Sequence, residues 1–248
     1  MKVYDAPSIR NVALVGHGGC GKTSLASALL FDAGAVNRLG RVDDGTTVTD
    51  FDPDEIDRKI SLLAAPAFAD WKKSKVNLID APGYANFLSA ARSALRVVDA
   101  ALIVVDAVAG VEVQTEKVWA FAEEYGLARL VVVNRMDREN ASYERALEKI
   151  QAAFGRSAVP VGVPVGEERA FRGVVDLVSE KAQIYGDDAS GKFQLADVPA
   201  AQQEAVKSWR EKLVAENPSL HGKSFGMPIT TSALTPGVAV AGDLFVAA

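Results

Sequence analysis

Hydrophobic residues along this chain gather in two patterns. Asn11–Val15 (NVALV), Ala101–Val105 (ALIVV) and Leu130–Val133 are short, continuously apolar runs, which predict strands buried on both faces. Between and around them lie longer segments with helical spacing: Lys22–Phe31, Phe87–Val98, Val113–Tyr125 and Ser142–Phe154, the last with Ser142 as its N-cap. Lys59–Ala69 and Lys75–Ile79 read as two further strands joined by a turn at Lys72, Lys73 and Ser74. Strands of this kind alternating with helices predict a mainly parallel, doubly wound α/β sheet, with ligands bound at the carboxyl ends of its strands.

Two stretches break the alternation. Asp32–Asp57 is polar and rich in Gly, Thr and Asp without convincing periodicity, and so long a loop is expected to be functional or mobile. From Val159 the chain turns Pro- and Gly-rich (VPVGVPVGEE). Strands are then expected at Gly173–Val178 and Lys181–Tyr185, an exposed turn at GDDASGK with another extended piece after it, and an amphipathic helix over Pro199–Glu216. A last short strand is predicted at Pro228–Thr231 and a helix after Ser232. The expected organisation is a main domain of residues 1–157 and 227–248 interrupted by an α+β subdomain at 158–226.

Composition narrows the function. At 248 residues with 49% hydrophobic and 24% charged, the chain has ordinary globular proportions. A formal charge of −5 argues against DNA binding, which needs excess positive charge. A single cysteine excludes an internal disulfide framework and a zinc site built on several cysteines. The most apolar stretch, Val97–Val111, is interrupted by Asp99 and Asp106, so no membrane span is expected. With no secretory leader pattern in the first residues, a cytoplasmic protein is the expectation.

Three motifs carry chemistry. Gly16-His17-Gly18-Gly19-Cys20-Gly21-Lys22-Thr23 matches G-x-x-x-x-G-K-[ST] between a predicted strand and helix, with Ser24 following. There, backbone amides and the helix N-terminus can cradle phosphates, Lys22 can reach the β- and γ-phosphates, and the Thr23 hydroxyl can ligate Mg²⁺. Asp80-Ala81-Pro82-Gly83-Tyr84 follows the strand ending at Ile79; a carboxylate at that strand end can hold Mg²⁺, and Gly83 lets its N–H approach a γ-phosphate. Asn134-Arg135-Met136-Asp137 follows the strand ending at Val133. A carboxylate at Asp137 can accept from guanine N1–H and its exocyclic amine, which adenine cannot match, so GTP is expected over ATP. Taken singly, the second motif is also an ordinary strand-ending turn and the third a polar loop cap.

In this order the motifs resemble those of the P-loop GTPases. The run Asp44–Glu55 (DGTTVTDFDPDE), NLIDAPG and VNRMDR narrow the resemblance to translational GTPases of the elongation factor G type. FRGVVDLVSEKAQIY is similar to the subdomain that family carries inside its GTPase domain. The resemblance implies a Mg²⁺-dependent GTPase domain that binds GTP and GDP, acts with the ribosome, and is a monomer. Gly16–Ser24 would hold the phosphates; Thr23, Asp80 and Ser61, which stands where the family usually has a switch threonine, would hold Mg²⁺. Lys22, Gly83 and Tyr84 would act in catalysis, and Asn134, Arg135 and Asp137 would hold the base. Ser232-Ala233 matches the loop whose amide touches the guanine carbonyl, while a helix N-cap at Thr231-Ser232 explains the same residues equally well.

Several residues depart from the family pattern. Tyr84 replaces a histidine that positions water, Gly18 a bulky apolar residue, Gly19 an aspartate, and Ser61 the threonine. They point to a divergent paralogue. They also motivate an alternative, a nucleotide-switched module with little hydrolysis. A third reading is an excised or truncated domain without translocase activity, since only the family's first domain is matched. His17 is expected to be structural rather than catalytic, and Cys20 a small loop residue. Trp71, Trp119 and Trp209 are expected to pack rather than stack on bases, and His221 has no assigned role.

Overall fold

The computed structural model describes residues 2–156, 158–186, 193–216 and 239–241, the last three as backbone only. The chain divides into two compact units, Met1–Val104 with Glu112–Arg129, and Val105–Val111 with Leu130–Ala248. Its class is mixed α/β with a mainly parallel sheet, as the alternating pattern predicts.

The first unit is built on β1 (Ile9–Gly16), whose Ala13, Leu14 and Val15 are fully buried. The chain then forms α1 (Lys22–Asp32), a six-residue α2 (Pro53–Arg58), the hairpin β2 (Ala65–Trp71) and β3 (Ser74–Asp80), and α3 (Leu88–Leu95). β4 (Ala100–Asp106, of which this unit holds the residues to Val104) and α4 (Val113–Glu124) follow. β1 lies between β3 and β4 and is parallel to both, while β2 pairs antiparallel with β3. The register Leu14↔Asp80, extended by the Ala81 amide donating to the Leu14 carbonyl at 3.1 Å, sets the carboxyl ends of β1 and β3 side by side.

Two expectations are corrected here. The polar stretch before Arg58 is not wholly loop, because α2 has its own start signals: Asp52 caps it, Pro53 occupies the first turn, and Glu55 completes a capping box. The strand expected from Lys59 begins only at Ala65. Lys59 adopts a left-handed φ of 54°, and the buried Glu55 carboxylate accepts from the amides of Leu62 at 2.8 Å and Leu63 at 3.0 Å. Those donors are taken by a side chain, which leaves them unavailable to a sheet ladder.

The second unit contains β5 (Ala128–Asn134, from Leu130 onward) and α5 (Tyr143–Phe154), the latter capped by Ser142 as expected. A four-stranded antiparallel sheet follows: β6 (Gly162–Val165), β7 (Gly173–Asp176), β8 (Lys181–Tyr185) and β9 (Phe193–Ala196). α6 (Gln203–Glu216) closes the described part of this region, and the Arg210 guanidinium donates to the Leu177 and Val178 carbonyls just past the end of β7. β10 (Ala239–Ala241) pairs antiparallel with β5 across Val131–Val133, where the sequence suggested helix. The strand expected at Pro228–Thr231 lies outside the described residues. Among the described residues no helix is long and apolar enough to cross a membrane.

Replacing Glu55 by Ala removes a charged acceptor from two backbone donors, a loss of about 2 kcal/mol. Amide exchange at Leu62 and Leu63 is then expected to accelerate by roughly thirtyfold at that magnitude, while amides in β1 and β3 keep their rates. Exchange measured residue by residue by NMR checks this, and unchanged rates at both amides would show that Glu55 does not hold the loop.

Candidate functional site

The phosphate-binding motif forms the turn between β1 and α1. Gly19 (φ 77°) and Gly21 (φ 94°) take the left-handed conformations that wrap the loop onto the helix start. The first turn of α1 carries no acidic side chain, so nothing within the helix itself offsets the positive end of its dipole. Lys22 is only 5% exposed, and its Nζ donates to the His17 carbonyl at 2.8 Å. Cys20 is buried beneath the turn and Ser24 faces solvent. His17 Nε2 lies 3.4 Å from Glu112 Oε1 at the start of α4.

The turn after β3 packs directly on this loop. A Cβ on Gly83 would fall 2.3 Å from Lys22 Nζ and 2.6 Å from the His17 carbonyl, so the close approach requires glycine. Tyr84, 43% exposed, rests its ring against Gly18.

Beneath the loop lies a cluster of oxygen atoms. Thr23 Oγ1 is 3.0 Å from Ser61 Oγ, and Ser61 donates to Asp50 Oδ1 at 2.8 Å. Thr49 Oγ1 donates to Asp80 Oδ2 at 2.9 Å, while Asp80 Oδ1 is buried without a hydrogen-bond partner. Burial pushes the Asp80 carboxyl up to about 6, against the pull of Thr23, Lys22 and Thr49, and burial likewise raises Asp50. Three hydroxyls and two carboxylates form an all-oxygen set suited to a hard divalent cation, and the orphaned Asp80 oxygen is the kind of group such a cation satisfies. The residues present therefore fit Mg²⁺. Thr23, Ser61 and Asp80 come together as the sequence predicts; Asp50 and Thr49 were missed. Asp50 stands in an acidic run that also holds the exposed Asp54 and Asp57, and nothing in the pattern singles it out.

In the second unit, Asn134 ends β5 and its carbonyl accepts from the Ala107 amide at 2.9 Å. Arg135 has a left-handed φ of 64°, and its guanidinium donates to Asp106 Oδ2 at 3.1 Å. Asp106 also accepts from the amides of Val108 and Ala109, and its carboxyl titrates below the usual range: burial alone would raise it, but these two bonds and Arg135 outweigh that effect. Met136 is fully buried and pegs the loop, leaving Asp137 half-buried at the turn. The loop is braced further by Glu168, which donates its amide to the Met136 carbonyl at 2.9 Å and accepts from the Asn140 amide at 2.7 Å. Glu167 accepts from the Tyr143 amide at 2.8 Å. No local signal marks Asp106, Glu167 and Glu168 for these bracing roles, because the roles depend on contacts between distant segments. Ser232 and Ala233 lie outside the described residues, as does His221.

The chain is similar to known proteins. The family profile described as Elongation factor Tu GTP binding domain matches residues 7–239. Elongation factor G from Mycoplasma pneumoniae is 36% identical over 215 residues, covering 87% of this chain and 31% of that protein. A crystal structure of a Thermus thermophilus protein superposes with a TM-score of 0.79 at 38% identity, covering 85% of this chain and 31% of that one. The chain thus spans about a third of the length of these relatives.

The raised Asp80 carboxyl has a thermodynamic consequence. Between about pH 4 and 6 the folded protein holds this proton while the unfolded chain, with a pKa of about 3.9, has released it, so nucleotide-free stability falls as pH rises through that window. Asp80→Asn is expected to flatten that fall and to stabilise the nucleotide-free protein at pH 7.5 by about 1–3 kcal/mol. Urea unfolding at pH 4.5, 6 and 7.5 for both proteins checks it.

Proposed function

The chain belongs to the elongation factor Tu GTP-binding domain family, and we propose that it binds GTP and GDP with Mg²⁺ and hydrolyses GTP as the GTPase domain of an elongation factor G-like factor acting on the ribosome. The single observation that carries this reading is the oxygen cluster of Thr23, Ser61, Asp50 and Asp80 packed beside the buried Lys22 at the start of α1. Such a cluster has little purpose in a chain that binds no phosphate and no cation, since two buried carboxylates cost stability.

In this reading residues 16–24 hold the phosphates. The Lys22 ammonium leaves the His17 carbonyl for the β- and γ-phosphate oxygens and offsets charge that develops during transfer. Thr23, Ser61 and Asp80 hold Mg²⁺, which when bound neutralises phosphate charge. The Gly83 amide faces the γ-phosphate, and an attacking water is held near Tyr84. Asp137 accepts from the guanine ring, with Asn134 and Arg135 supporting the loop; Ser232-Ala233 are proposed to complete the base site. Residues 158–226 are proposed to be a subdomain inserted into the GTPase domain. A cytoplasmic location and a monomeric state accompany this role.

A second reading is favoured by Tyr84. A phenol does not replace an imidazole in positioning water, so the domain can serve as a nucleotide-switched ribosome-binding module with little hydrolysis of its own. Single-turnover hydrolysis with and without ribosomes separates the two, and a sharp rise in the stimulated rate on Tyr84→His supports the module reading.

Titration with a fluorescent GDP analogue tests the main proposal. GDP and GTP are expected to compete, and a hundredfold excess of ATP to leave the probe bound. Chelating Mg²⁺ is expected to weaken binding about tenfold or more, and Asp80→Ala to remove most of that sensitivity. Equal competition by ATP would overturn the assignment of Asp137. Absence of binding by either guanine nucleotide in magnesium buffer would overturn the function as a whole.

A further inference from the structure

Gly18 and Tyr84 each depart from the family pattern when read singly, and the structure places them in contact. A Cβ on Gly18 would lie 2.9 Å from Tyr84 Cε1 and 3.0 Å from both Cδ1 and Cζ. The backbone does not explain the glycine, because the φ of Gly18 lies outside the left-handed region, whereas Gly19 has φ 77° with no atom within 4 Å of a Cβ. Glycine is needed at 19 for conformation and at 18 for space, and the space is taken by the face of one ring. Tyr84 follows Gly83, itself pressed onto Lys22 and His17, so the ring's root is fixed and its far end crosses the phosphate loop.

We propose that Gly18 and Tyr84 form one positioning unit, in which the missing side chain at 18 seats the tyrosine ring across the phosphate loop, where it orders a nucleoside triphosphate and its attacking water. The unit rests on the function proposed above and adds to it that residue 84 acts through the seat at residue 18. With 43% of Tyr84 exposed, the ring is free to swing into solvent once that seat is filled. A side chain at 18 therefore displaces the ring and leaves the fold intact.

Four proteins test this: the parent chain, Gly18→Val, Tyr84→Ala and the double variant. In single-turnover GTP hydrolysis, Gly18→Val is expected to slow the rate constant tenfold or more in the parent background and less than twofold in the Tyr84→Ala background. The rate constant is expected to fall further than GTP affinity. The same factor in both backgrounds overturns the proposal. A second measurement does not depend on hydrolysis. With fluorotyrosine incorporated, the ¹⁹F resonance lost in Tyr84→Phe is expected to move in Gly18→Val toward the value of the free amino acid. If it stays in place, the ring is not seated by Gly18 and the unit is refuted. If it moves while no protein hydrolyses GTP, the packing half stands and the hydrolytic function fails.

Discussion

The parallel pairing of β1 with β3 is the constraint on which the phosphate site depends. It aligns Leu14 with Asp80, so two chain segments leave the sheet at the same level and in the same direction. One becomes the glycine-rich turn and the helix start, the other the Asp80–Tyr84 turn. Because a parallel ladder fixes relative height to a single residue, a slip of one position would turn Asp80 away from Thr23 and lift Gly83 off Lys22. Apolar burial of Ala13, Leu14 and Val15 holds that register, so the core residues of β1 position the chemistry without taking part in it.

The site itself is electrostatically unfavourable as it stands. Asp50 and Asp80 are buried near one another, and burial raises both carboxyls. Hydroxyls from Thr49 and Ser61 satisfy one oxygen of each, and the Lys22 ammonium pulls against the rise in both. This fits the proposed role, since a site that takes up a cation and several phosphates has stability withheld from the free protein and recovered on binding. The loop before Ser61 takes part through Glu55, whose buried carboxylate holds the amides that follow Ser61.

The Asn134–Asp137 loop, proposed above to meet the base, is held by a different device. Met136 anchors it apolarly, Asp106 fixes the guanidinium of Arg135, and Glu167 with Glu168 braces its far side through backbone amides. The result is a turn at Asp137 braced by side chains from several segments. If Asp137 reads the base as proposed, fixing its carboxylate matters, because discrimination between purines depends on leaving a buried acceptor unpaired when the wrong one binds.

Local pattern alone determined much of this protein. Continuous apolar runs identified β1, β4 and β5, helical spacing identified α1, α4 and α5, and two separate motifs picked out Lys22 with Thr23 and Asp80 with Gly83, which the structure brings together. These are legible because strand, helix and phosphate turn depend on residues close in sequence. Other features needed the tertiary structure. Which acid in the run from Asp43 to Asp57 enters the cluster, why the strand after Lys59 starts late, and what braces Asp137 all turn on contacts that local pattern does not encode. The pairing of β10 with β5 in place of a helix is of the same kind, since a three-residue strand takes its identity from its partner. Gly18 shows the division most clearly. Its sequence position marks it only as a departure from the family pattern, and the ring of Tyr84 lying over it supplies the physical reason that a side chain there would have to displace that ring.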